Sequence, residues 1–291
     1  LDKYRVAIIG LGRIGVELET DPYRQKPASH LGAWLTHPKC QVVGLCDIMG
    51  VAPSLVDATG AEHFVNYEDM MNKTKPDIVS IATPDDTHKQ IARNVVRYEP
   101  VKLVFLEKPI ATTVSDAESI VFSAREFKVK LAINHTRRWN PVWQHVAKLA
   151  NEDKALSFFG KFNGDLLREG THMTDLANWF GAEKQGFYWG EGKLDYLLWE
   201  VDLFWKNKRI HVKENGRVSE MYQSFPSKHY NSHIRELEKT CEVRRNLYPG
   251  SDMKLAIDQL VECLDKDDDP LCTGEHGKRA LETLLSASWN K

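Results

Sequence analysis

The chain has 291 residues, is 42% hydrophobic and carries 39 basic against 41 acidic side chains, a formal net charge of -2. That length supports two ordinary domains with cores of their own, and the balanced charge lacks the electrostatic footprint of a nucleic-acid or membrane-surface binder, which leaves a small molecule as the expected partner. The five cysteines form no CxxC pair, no apolar run reaches the roughly 20 residues of a membrane span, and the first residues enter a strand pattern in place of a signal peptide, so reduced thiols and a cytoplasmic protein are expected.

Short β-branched runs come first: RVAIIG (5–10), QVVGLCD (41–47), DIVSIATP (77–84), KLVFLEKP (102–109) and KLAINH (130–135). Continuous apolar runs separated by helix-sized segments are the pattern of buried parallel strands, here a doubly wound α/β sheet. The rhythm changes after about Asn134. Long alternating segments, YLLWEVDLFWKN and RIHVKENGRVSEMYQ, carry a hairpin signal at Asn215 and Gly216 and predict a mostly antiparallel open sheet in an α+β domain. SDMKLAIDQLVECLDKD and EHGKRALETLLSASW return to helical periodicity, the former with Leu255, Ile257, Leu260, Val261 and Leu264 as an apolar stripe. Two domains are expected, 1–134 for a dinucleotide and 135–291 for substrate binding and oligomerisation.

VAIIGLGRIG (Val6–Gly15) places Gly10, Gly12 and Gly15, with Arg13 and Ile14 between the last two, directly after an apolar strand. In that context backbone amides at a helix start meet a pyrophosphate. Asp47 ends the next strand, where a carboxylate accepts both ribose hydroxyls of NAD and repels the extra phosphate of NADP, so NAD is the expected cofactor and NADP the poorer fit. Asp47 lies farther on than the roughly twenty residues of the usual fingerprint. The intervening ETDPYRQKPASH, with two prolines, accounts for this as an inserted loop, and LGAWLTHPKC resumes a helical pattern.

SIATPDDTH (80–88), LEKPIATT (106–113) and GTHMTDLANWFG (170–181) complete a pattern that resembles the Gfo/Idh/MocA oxidoreductases over nearly the whole chain. The resemblance implies a Rossmann domain followed by an α/β domain, and hydride transfer between nicotinamide and a hydroxyl-bearing carbon of a sugar, cyclitol or nucleotide sugar. Carried over, it sets Thr83, Pro84, His88, Glu107, Lys108, Asn134 and Arg137 beside the cofactor. It makes Lys108 and His172 the catalytic pair, and it assigns Lys108, Arg137, His172 and Asp175 to the substrate, while Arg168 joins them as a substrate anchor on the strength of its charge alone. It also implies a homodimer or homotetramer, and no metal. Alcohol oxidation needs a base for the hydroxyl proton and a cation for the developing charge, tasks that suit an imidazole and an ammonium.

One position departs from the pattern. Many relatives carry an aspartate four residues before the histidine, where this chain has Arg168. An inward guanidinium there disfavours the protonated forms of Lys108 and His172, which is compatible either with an anionic substrate, such as a uronic acid or a nucleotide sugar, bound by Arg168, or with a site that no longer catalyses. Two rival readings follow: an enzyme that recycles tightly held NAD during elimination or glycosidic cleavage, and a noncatalytic dinucleotide sensor. His229 and His233 are four apart, a metal spacing on a helix, but lack a third ligand nearby.

Overall fold

The apolar runs become strands of two six-stranded sheets. The computed structural model describes residues 3–50, 52–230, 233–244 and 251–289. In chain order the first elements are β1 (Tyr4–Ile9), α1 (His30–Thr36), β2 (Cys40–Cys46), α2 (Pro53–Thr59), β3 (Glu62–Phe64), α3 (Tyr67–Thr74), β4 (Ile78–Ile81), α4 (His88–Val95), β5 (Leu103–Leu106), α5 (Val114–Glu126) and β6 (Lys130–Ile133). There follow α6 (Pro141–Glu152), β7 (Ser157–Phe162), α7 (Leu166–Phe180), β8 (Lys184–Trp189), β9 (Trp199–Phe204), β10 (Lys208–Lys213), β11 (Val218–Pro226), β12 (Arg235–Arg244), α8 (Asp252–Lys266) and α9 (Gly274–Ser286). No helix among the described residues is long and apolar enough to cross a membrane.

Leu1–Trp139 with Pro249–Leu281 make one compact unit, and Asn140–Tyr248 with Glu282–Lys291 the other. The sequence suggests a single cut after residue 134, whereas the compact units interleave: α8 and the start of α9 return to the first. Such a helix announces that it has an apolar face, not which surface that face covers. Its buried side chains are Met253, Ala256, Ile257, Leu260, Val261 and Cys263, a stripe turned slightly from the expected one, with Leu255 and Leu264 only half-buried.

The first unit is built on a parallel sheet in the order β3-β2-β1-β4-β5-β6. Its middle strands are apolar on both faces, and Val6, Ala7, Ile8, Ile78, Val79, Ile81 and Leu103 to Leu106 are all fully buried. Burying each larger aliphatic side chain stabilises the unit by about 1.5–3 kcal/mol. The short edge strand β3, EHF, carries no apolar run and escapes the sequence reading.

The segment after Gly15 is not the continuous helix that the glycine motif predicts. A turn and a 3-10 segment, Glu17–Thr20, lead into a loop, and the regular helix starts only at His30. Yet the helical ladder is resumed across that loop: the amides of His30 and Leu31 donate to the carbonyls of Ile14 and Gly15, each at 3.0 Å. Glu19 fastens the loop, its Oε2 accepting from the amides of Ala28 (2.9 Å) and Ser29 (3.0 Å) and from the Ser29 hydroxyl (2.7 Å). Ser29 in turn caps α1 by accepting from the Gly32 amide at 3.0 Å.

The second unit carries a sheet in the order β12-β11-β10-β9-β7-β8, antiparallel except for the β7–β8 pair. Trp143, Val146 and Ala147 of α6 and Met173, Leu176 and Phe180 of α7 fill its core against Phe158, Phe162, Val201, Leu203, Ile210 and Val212. The expected hairpin joins β10 to β11, with Glu214, Asn215 and Gly216 all at positive φ. A side chain at Gly216 would lie 2.7 Å from the Trp143 indole nitrogen, so glycine is required there twice over. β12, RELEKTCEVR, is an exposed edge strand whose charges hide it from pattern reading and guard it against edge pairing.

Candidate active site

β1 lies between β2 and β4, so the strand order reverses beside it and opens a crevice at the carboxyl ends of β1 and β4. Gly10 turns the chain there with φ +90°, and a Cβ would meet the Ala82 carbonyl group at 2.7 Å. At Gly15 a Cβ would lie 2.2 Å from the Gly10 carbonyl oxygen. Gly12 differs, because a Cβ added to it meets nothing within 4 Å. The amides of Gly12, Arg13 and Ile14 have no acceptor among the described residues. Three unpaired donors beside open space in the turn after β1 fit a pyrophosphate.

Asp47 follows β2 and is held toward this turn. Its Oδ2 accepts from the Leu11 amide at 2.8 Å and its Oδ1 from the Met49 amide at 2.9 Å. Each oxygen keeps acceptor capacity for a hydroxyl. The next two side chains, Ile48 (86% exposed) and Met49 (89%), are apolar and lie in solvent, and neither offers a cation for a ribose phosphate.

Glu107 closes β5 and is buried together with a partner that the sequence reading missed. His30, the first residue of α1, presents Nε2 to Glu107 Oε1 at 2.8 Å and Nδ1 to Ser80 Oγ at 2.6 Å. The Trp34 indole donates to the same Ser80 oxygen at 3.0 Å, and the Asn134 amide donates to Glu107 Oε1. Burial opposes ionisation of Glu107, but the hydrogen bond and attraction of His30, the Lys108 ammonium and the Asn134 hydrogen bond outweigh it and hold the carboxyl below its ordinary range. Asn134 is 2% exposed, and its Oδ1 has no hydrogen-bond partner among the described residues. Lys108 is half-buried, and the Lys108–Pro109 peptide is cis.

The other predicted residues of this unit divide. Thr83 and Pro84 follow β4 at the crevice, Thr83 half-buried and Pro84 exposed. His88 is buried, with Nδ1 2.8 Å from the Pro109 carbonyl oxygen and Nε2 3.0 Å from that of Thr83, so it ties two loops together. Arg138 is buried and donates to the Leu271 carbonyl at 3.3 Å, whereas Arg137 is half-buried. In the second unit, Asp165 caps α7 by accepting from the Arg168 amide at 2.7 Å. His172 and Asp175 of α7 are buried. Arg168 is exposed, and solvent screens the charge effect that an inward guanidinium would exert. His229 precedes β12 on a loop, not a helix, and pairs with Glu236 at 3.3 Å.

Residues 4–135 match an oxidoreductase family with an NAD-binding Rossmann fold, Gfo/Idh/MocA. The chain is 29% identical to inositol 2-dehydrogenase of Salmonella typhimurium, an alignment covering 99% of the chain and 76% of the relative. YteT of Bacillus subtilis is 26% identical over 45% of the chain, a match that spans 36% of YteT. Among solved structures, the WlbA dehydrogenase from Bordetella pertussis in complex with NADH and UDP-GlcNAcA has the same fold. Its TM-score is 0.71 at 19% identity, over 98% of this chain and 94% of that one.

Proposed function

We propose that this chain is a Gfo/Idh/MocA oxidoreductase, an NAD-dependent dehydrogenase that moves a hydride between nicotinamide and a hydroxyl-bearing carbon of a sugar-like substrate. The observation that carries the reading is the glycine turn, with unpaired amides at Gly12, Arg13 and Ile14 and open space at Gly12. Asp47, with apolar neighbours and no nearby cation in sequence, supports NAD over NADP. Inositol 2-dehydrogenase, a relative aligned over nearly the whole chain, supports a polyol or sugar substrate.

The bound dinucleotide would supply the hydride chemistry. The chain supplies the rest: the Lys108 ammonium holds negative charge on the reacting oxygen, and the His172 imidazole accepts its proton. Asp175 follows His172 by one helical turn and is buried with it, a partner for the substrate in this reading. Arg168 and Arg137 are the anchors for a substrate carboxylate or phosphate, for which a guanidinium is the matching fork. Assembly into a dimer or tetramer belongs to the same proposal. The test is calorimetry with NAD and NADP, followed by NADH absorbance on a panel of cyclitols, aldoses, sugar acids and nucleotide sugars. Absence of dinucleotide binding to the folded protein would end the proposal.

A further inference from the structure

Glu107 is engaged at one oxygen only. His30 Nε2 and the Asn134 amide both address Oε1, and Oε2 receives no hydrogen bond among the described residues. The way His30 is held explains why it donates. Trp34 has only an N–H to give, so Ser80 Oγ accepts from it and keeps its own hydrogen for His30 Nδ1. An ionised Glu107 carboxylate can only accept, so the ring donates to it from Nε2, with Nδ1 accepting from Ser80 in the neutral ring. All of Trp34, His30 and Ser80 are fully buried, so this chain of bonds is closed to water and Ser80 is no nucleophile.

A second observation lies beside the first. The Asn134 Oδ1 is buried without a partner while its Nδ2 is spent on Glu107. A buried acceptor left unpaired is unfavourable unless a ligand donates to it. Glu107 Oε2 and Asn134 Oδ1 thus form a pair of acceptors on residues bonded to each other, suited to a group rich in O–H or N–H donors such as a ribose or an amide.

We propose that His30 is a positioning residue: by occupying Glu107 Oε1 it leaves Oε2, with Asn134 Oδ1, to accept donors from the bound dinucleotide. This rests on the proposed function for the identity of the ligand. It also gives the inserted loop a role. His30 is reached only through residues 16–29, and its place is set by the hydrogen bonds to Ile14 and Gly15 and by the Ser29 cap that Glu19 fastens.

The experiment compares His30→Asn, which leaves Glu107 without its donor, with His30→Gln, whose amide reaches the Nε2 position. Each is made in the wild-type and Glu107→Gln backgrounds, with far-ultraviolet circular dichroism to confirm folding. Binding of NADH is read by fluorescence, and the Glu107 carboxylate is titrated by its infrared band, identified by its loss in Glu107→Gln. His30→Asn is expected to weaken NADH binding by about tenfold and to raise the titration midpoint of Glu107, which loses a charge-assisted donor. His30→Gln is expected to restore binding to within about threefold, and His30→Asn to add less than about twofold once Glu107→Gln is present, since coupled groups are not additive. Equal losses in both variants, additivity with Glu107→Gln and an unmoved infrared midpoint would reduce His30 to a packing residue. Should wild-type protein bind no NADH, the proposed function falls, and the infrared arm alone still decides whether His30 governs Glu107.

Discussion

Replacing Gly12 by alanine separates the ligand's demand on the glycine turn from the fold's demand. A methyl group there meets no protein atom within 4 Å, and its backbone is outside the left-handed region. Stability should change by no more than about 0.5 kcal/mol. The same methyl fills the space where a pyrophosphate approaches the amides, and loss of one charge-assisted hydrogen bond is worth about 1.5–3 kcal/mol. NAD binding should weaken roughly ten- to a hundredfold. Gly10→Ala has the opposite signature. It forces a non-glycine residue to φ +90° with a Cβ 2.7 Å from the Ala82 carbonyl carbon and oxygen. The left-handed conformation costs about 1–2 kcal/mol and the clash about 1–3 kcal/mol more, so the melting temperature should fall by several degrees before any ligand is added. Thermal melts of the ligand-free variants and calorimetry with NAD read the two effects independently. Wild-type affinity in a folded Gly12→Ala protein, or equal destabilisation by both substitutions, would refute the reasoning.

Asp47→Ala should lower affinity for NAD while sparing NADP, narrowing the preference between them; an unchanged ratio by calorimetry would remove Asp47 from cofactor selection. Arg168→Ala should slow turnover of acidic sugars and nucleotide sugars and leave neutral sugars alone, with equal losses on both classes counting against an anion-anchoring role. Burial opposes ionisation of Asp202, but hydrogen bonds from His211, Arg209 and Lys161 prevail and hold its carboxyl far below the ordinary range. Its stabilisation is therefore present above about pH 4 and lost as pH falls through the depressed folded-state value, so Asp202→Asn should flatten the acid limb of a stability-against-pH curve. Burial pushes the thiols of Cys40 up to about 12 and Cys46 up to about 11, while Cys241 alone among the five is exposed. Brief alkylation of the native protein at mildly alkaline pH should label Cys241 and spare the other four, and mass spectrometry showing early modification of Cys40 would contradict that burial.

Much of this protein is decided by neighbours in sequence. The strands β1, β2, β4 and β5 announce themselves by apolar runs because both faces of an inner parallel strand are buried, and the edge strand β6 does so because Leu131, Ala132 and Ile133 are buried as well. Gly10 and Gly15 are legible because a tight turn excludes side chains locally, and Asp47 because it ends a strand. The EKP carboxylate and lysine could be found through their motif. What the motif does not contain is the buried ring that bonds Glu107, since His30 lies 77 residues away and looks like any lone histidine at a helix start. The same holds for α8, whose amphipathic pattern names a face but not the unit it joins, and for β12, whose alternation is masked by charge. Periodicity and turn chemistry act over a few residues, and so the sequence alone determines most of the elements and the glycine turn. Which hydrogen-bond partner meets a buried polar group depends on packing between distant segments, and only the tertiary structure decides it.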